Sequence, residues 1–267
     1  MKKTILLIFL LAFSVTGCGR QDSENVVSMK YSNILVVGLD DEYAPMGFRD
    51  EQGEIVGFDI DLAKEVARRL GMEFEFKPII WSKKVDELNS YNIDIIWNGL
   101  DITPERKKDI LYSKPYMDNR QIILVRQNDT FHIRSEYDLE GRVVGTQAGS
   151  NSEDYVKENS KLKKSLREFK TYENYKEAFK ALYIGDVDVL ICDEIAGRYE
   201  MNRNFGRFEV VEVTVGSFTK IGIGFRKSDV ELRDRIQKVF DEMIKDGTAR
   251  EISQKWFQAD LILSHGK

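Results

Sequence analysis

Few side chains in this sequence have the type and spacing for covalent chemistry. There are two histidines, His132 and His265, and two cysteines, Cys18 and Cys192. Without a CxxC pair, a zinc site built from Cys and His is nearly excluded, and two cysteines make no disulfide framework. There is no Ser-His-Asp or Cys-His set. Cys192 as a nucleophile competes with a simpler reading, a thiol at the end of a buried strand. What remains is charge. Arg106 follows Thr103-Pro104-Glu105, Asp193 follows the largely apolar Val187 to Cys192, and Asp101 and Asp40-Asp41-Glu42 sit between apolar segments. On residue type alone, Arg106 is either a surface cation beside Lys107 and Lys108 or a planar fork for a carboxylate. Asp193 should emerge at the C-terminal edge of a strand, where open α/β sheets bind ligands; it could also cap the helix behind it. Ser150, Asn151 and Ser152 open a helix, whose N–H groups and dipole suit an anion.

The elements that must carry these residues alternate. Ile34 to Gly38 reads as a buried strand and Asp40 to Pro45 as a loop. Phe58 to Leu70 has Ile60, Ala63, Val66, Ala67 and Leu70 on one helical face, with Gly71 as its stop. A strand is predicted over Phe74 to Phe76, a helix over Lys83 to Ser90 and a strand over Ile93 to Trp97. Trp97 suits the core as well as a ligand. Thr103-Pro104 looks like a helix start. A second run begins near Gly141, with a strand over Val143 to Gln147 and a helix through Asn159. A helix over Asn174 to Ile184 and the strand Val187 to Cys192 follow. The unit helix, Asn92 to Trp97, polar turn recurs as helix, Asp186 to Ile191, polar turn. This repetition implies two similar α/β lobes. A helix carrying Leu232, Ile236, Val239, Phe240 and Met243 ends at Gly247, and a last one starts at Thr248.

The 267 residues suffice for two modest domains, and 42% hydrophobic content fits a real core. A net charge of −5 argues against a nucleic-acid partner. Lys2 and Lys3, then an apolar run from Ile5 to Val15, describe an export signal, too short to span a bilayer. Val15-Thr16-Gly17-Cys18 resembles a bacterial lipobox, which would make residues 1–17 a signal peptide and Cys18 a lipidated anchor; the alternative is an ordinary signal peptide with an incidental cysteine. Residues 18–32 then form a polar tether.

Gly38-Leu39-Asp40 through Tyr43-Ala44-Pro45 and Gly57-Phe58-Asp59-Ile60-Asp61-Leu62-Ala63 resemble the opening signature of a family. Ile93-Asp94, Asn98-Gly99, Ile102 to Arg106, Gly141 to Gly145, Asp193-Glu194 and Gly222 to Lys227 continue it in order. The family is the polar amino acid binding proteins of bacterial ABC importers, solute-binding protein family 3. The resemblance implies a two-lobed periplasmic binding protein fold (type II) with two hinge crossings, near Gln121 to Val125 and Lys220 to Phe225. Residues 33–121 and 225–262 would form lobe 1, and residues 122–224 lobe 2. It implies a free amino acid as ligand, a permease as partner, no cofactor, a monomer, and binding rather than catalysis. A prephenate-dehydratase-like cleft enzyme and a sensory module are the alternatives.

Arg106 then matches the carboxylate-binding arginine and Asp193 the ammonium partner. Tyr43 and Trp81 match aromatics over the ligand side chain. Asp40 matches a position that can meet a polar or cationic side chain; Asn98 and Gly99 can offer backbone contacts from lobe 1, and the helix start at Ser150, Asn151 and Ser152 can hold the carboxylate from lobe 2. Asp101 departs from the Ser or Thr usual there. It either adds a partner for the ammonium or caps the helix behind Thr103. Excess acid would favour a basic amino acid, with glutamine and cystine as alternatives.

Overall fold

The computed structural model describes residues 33–264; the export signal, Cys18 and the tether lie outside the described residues. Two five-stranded sheets organise the chain. The first has the order β5-β1-β6-β13-β7, where β1 is Ile34–Leu39, β5 Glu73–Pro78, β6 Ile95–Ile96, β7 Ile110–Tyr112 and β13 Gly224–Arg226. The second has the order β10-β9-β11-β8-β12, where β8 is Met117–Arg126, β9 Val143–Gln147, β10 Glu168–Tyr172, β11 Val189–Asp193 and β12 Phe208–Ile221. In each, three parallel strands are extended by antiparallel ones. A small sheet of β2 (Glu42–Tyr43), β3 (Gly47–Arg49) and β4 (Ile55–Val56) sits beside the first.

The helices follow the apolar pattern. Helix α1 spans Phe58–Leu70, buries Ile60, Ala63, Val66 and Ala67, and ends on left-handed Gly71. Helix α2 is Lys84–Asn89, preceded by a 3-10 turn at Trp81–Lys83. Helices α3 (Asn151–Glu158), α4 (Ser160–Ser165), α5 (Tyr175–Ile184) and α6 (Glu194–Arg203) serve the second sheet. Helices α7 (Val230–Asp246) and α8 (Thr248–Phe257) return to α1. The helix expected behind Thr103-Pro104 is only a 3-10 turn, Arg106–Lys108. Thr103 Oγ1 still accepts from the Arg106 N–H, but β7 begins two residues later and leaves no room for a further turn.

The chain leaves the first sheet after β7 and returns to it at β13. Strands β8 and β12 pair antiparallel, with Met117 opposite Ile221 and Asn119 opposite Thr219. Ile122 to Leu124 also pair with β11, so they lie inside the second sheet. Trp97 packs in the core against Phe240, ring centroids 6.1 Å apart. Phe58 ties α1 to α8 through Phe257 at 4.9 Å. Phe58→Ala should lower unfolding free energy by about 3–5 kcal/mol in urea denaturation, because it opens a cavity at this junction.

Candidate functional site

The parallel strands of both sheets end at the same place. Asp40 follows β1, Asn98 and Gly99 follow β6, Gln147 ends β9, and Asp193 ends β11. Charged and polar groups are thus gathered where the lobes meet, at strand C-terminal edges.

Asp193 is 5% exposed and sits at the N-cap position of α6, but its side chain caps nothing. Its Oδ2 accepts from Tyr43 Oη at 2.9 Å and Tyr175 Oη at 3.1 Å, and its Oδ1 from Asn119 Nδ2 and Gln121 Nε2, both at 2.6 Å. Asn119 also donates to Asp101 Oδ1 at 3.0 Å, so one amide bridges two carboxylates from opposite lobes. Thr219 Oγ1 donates to the same Asp101 oxygen at 2.6 Å. Asp101 therefore faces Asn119 and Thr219, and the cap of the turn behind it falls to Thr103.

Asp40, also 5% exposed, accepts from the Glu42 N–H at 3.0 Å and, across the lobes, from Gln147 Nε2 at 2.5 Å. Asn98 Oδ1 accepts from the Asp40 N–H. The Gly99 N–H is bonded to Asp59 Oδ2 at 2.7 Å, and Asp59 Oδ1 accepts from Tyr116 Oη. Gly99 has φ 59°, and a Cβ there would fall 2.5 Å from the Tyr43 ring. Asp59 and the missing side chain together seat Tyr43 against this turn.

On the other side, Arg106 Nη2 donates across the lobes to the Gly149 carbonyl at 3.0 Å and to Asp154 Oδ2 at 2.8 Å. Lys84 Nζ reaches the same carbonyl at 2.8 Å. Trp81 is buried beside it. Ser150 caps α3 by accepting from the Glu153 N–H at 3.1 Å. Ser152 Oγ donates to Gln121 Oε1, while Asn151 is half-buried at the helix start. All the residues expected at the site thus fall around one junction. Asn119, Gln121, Gln147, Tyr175, Thr219, Lys84 and Asp59 were not anticipated there. Asn119 and Gln121 lie in a polar start of β8, Asp118 to Gln121, and only burial sets them apart from Asp118 and Arg120.

Among the described residues no group of three His, Cys, Asp or Glu side chains is placed to hold a metal. Burial pushes the Cys192 thiol well up, away from the reactive thiolate.

Two lobes of one α/β plan, joined by paired strands, with charged groups at facing strand ends, make a two-lobed periplasmic binding protein fold of type II. The chain belongs to the bacterial extracellular solute-binding proteins, family 3, whose profile matches residues 35–259. It is 30% identical to the L-cystine-binding protein TcyJ of Escherichia coli (strain K12), over 87% of this chain and 86% of that one. It is 30% identical to the arginine-binding extracellular protein ArtP of Bacillus subtilis (strain 168), over 97% of this chain and 100% of that one. The structure of a Streptococcus pneumoniae ABC uptake transporter substrate binding protein with bound histidine superposes with a TM-score of 0.83. The identity is 31%, covering 91% of this chain and 99% of that one.

Burial pushes the Asp40 and Asp59 carboxyls up to about 7, and burial followed by the charge of Asp193 raises Asp101. Burial, then the charge of Arg106, pushes the Lys84 ammonium down to about 7. Between about pH 4 and 7 the folded acids keep protons that the unfolded chain has lost, so stability falls as pH rises. Between about pH 7 and 10 the folded Lys84 has lost a proton that the unfolded chain keeps, so stability rises. Each group contributes at most about 1.4 kcal/mol per pH unit. Urea unfolding without added amino acid should therefore pass through a minimum near neutrality between about pH 5.5 and 8.5. A maximum there contradicts the burial of these charges.

Proposed function

We propose that this protein captures a free polar α-amino acid, basic ones foremost, and delivers it to an ABC importer. One observation carries the reading. A buried guanidinium, Arg106, and a buried carboxylate, Asp193, lie at the junction of the lobes, and each is bonded across it. A zwitterion leaves water only if both its charges find partners. Arg106 and the first N–H groups of α3, at Asn151 and Ser152, suit the carboxylate; Asp193 and Asp101 suit the ammonium. Asp193 is held by neutral donors only, so an ammonium brings the charge it lacks. Asp40, buried and met by a neutral amide, offers a further carboxylate to a cationic side chain. Tyr43 and Trp81 supply its apolar walls. The relatives that bind arginine and histidine support the same chemistry.

In this reading residues 33–121 with 225–262 form one moving body and residues 122–224 the other. They rotate about β8 and β12, and the ligand's extra contacts favour closure. The closed form docks on the permease as a monomer tethered outside the membrane through Cys18. Raised carboxyls in the cleft favour one second reading, acid catalysis on a prephenate-like substrate; product formed on incubation would establish it.

Calorimetry against the common amino acids, ornithine and cystine should find tight binding among polar members; binding of acidic or aliphatic ones alone rejects the reading. For the ligand so found, Arg106→Ala should lose about 2–5 kcal/mol, at least roughly thirtyfold in affinity. In cells, Cys18→Ala should move the protein from the membrane fraction to the soluble one. Unchanged membrane retention would remove the anchor.

A further inference from the structure

Lys84 is a buried cation to which none of these roles falls. It opens α2 and is 5% exposed. Its Nζ donates to the Gly149 carbonyl at 2.8 Å and to the Trp81 carbonyl at 3.3 Å, and lies 4.9 Å from the centre of the Trp81 ring. Among the described residues no carboxylate comes within salt-bridge distance of it. Arg106 donates to the same Gly149 oxygen at 3.0 Å but also has Asp154. Two basic groups therefore converge on one neutral carbonyl, and only Arg106 is ion-paired. The junction is tight. Gly149 has φ 74°, and a Cβ on it would lie 2.5 Å from Ser82 Cα, so the Trp81–Lys83 turn seats directly on the backbone that leads into α3. Asp154, Glu153 and Asp101 act on Lys84 only from beyond ion-pair distance, so its buried ammonium stands at a deficit that a carboxylate in contact would remove.

We propose that Lys84 is a specificity-determining ligand contact that shares the bound amino acid's carboxylate with Arg106. The inference rests on the assignment of Arg106 to that carboxylate. A site with one cation distinguishes a carboxylate from a carboxamide by charge and fork geometry. A site with two, one of them lacking any other counterion, rejects the carboxamide far more strongly, because the amide leaves both cations desolvated and adds a donor facing them.

The test is calorimetry on the full mature chain with the tightest-binding amino acid of the panel above and with its α-carboxamide. The wild-type protein should prefer the free acid by about a hundredfold or more. Lys84→Met should weaken the acid about tenfold or more and the amide less than about twofold, so that discrimination shrinks. Lys84→Gln, which keeps a polar head without charge, should give the same shrinkage and guards against loss of folding in the first variant; thermal unfolding checks both. Equal losses on acid and amide, or no loss on either, would overturn the role of Lys84. A wild-type protein that does not distinguish acid from amide would instead overturn the role of Arg106. A panel without any binding amino acid overturns both.

Discussion

The carboxylate of Asp193 is buried where the two lobes meet, and an unpaired charge there would cost several kcal/mol. Much of the molecule can be understood as the means of meeting that cost. Strand β11 is buried along its whole length and ends on this residue, so the carboxylate is fixed at a sheet edge by a rigid element. Strand β8 turns Asn119 and Gln121 to it at period two. Helix α5 supplies Tyr175 from the same lobe, and the loop after β1 supplies Tyr43 from the other. Tyr43 in turn stands where it does because Gly99 has no side chain and because Asp59, at the head of α1, holds the Gly99 N–H. The demand of one carboxylate thus reaches into both sheets and the first helix.

The opposite charge is handled differently. Arg106 rides on a single 3-10 turn between the lobes and takes its partners, the Gly149 carbonyl and Asp154, from the second lobe. A donor borrowed from across a cleft is exchangeable. Asp193 draws Asn119, Gln121 and Tyr175 from the elements of its own sheet and only Tyr43 from the other lobe. The carboxylate end of the junction is therefore held mostly from one side, and the guanidinium takes both of its partners from across it.

Much of this could be read from residue order. Helix α1 and strand β9 begin and end where periodicity and Gly71 place them, and Asp193 and Arg106 follow from strand-end logic and motif. What escaped reading did so for physical reasons. Strand β12 runs for 14 residues, but two register shifts break its alternation, between Val211 and Thr214 and between Val215 and Thr219. Lys84 follows another lysine in a short helix and looks like a surface residue; Trp81 beside it and Gly149 across the junction bury it. Asp59 reads as an acid favouring a helix start, and tertiary contact gives it the Gly99 N–H instead. Asn119 and Gln121 carry no charge, and a polar residue on a strand looks exposed until both faces are covered.

Strands β8 and β12 are hydrogen-bonded to each other along the passage between lobes, and Asn119 and Thr219 are opposite one another in that pairing. Both residues donate to Asp101, and Asn119 reaches Asp193 as well. Part of what serves the two acids thus sits on the strands that join the lobes. In the lobe closure proposed above, donors near this pairing would shift less than Arg106 and Gly149, which stand one on each lobe. On opening in the proposed motion, Asp193 would give up one of its four side-chain partners, Tyr43, whereas Arg106 would give up both of its own.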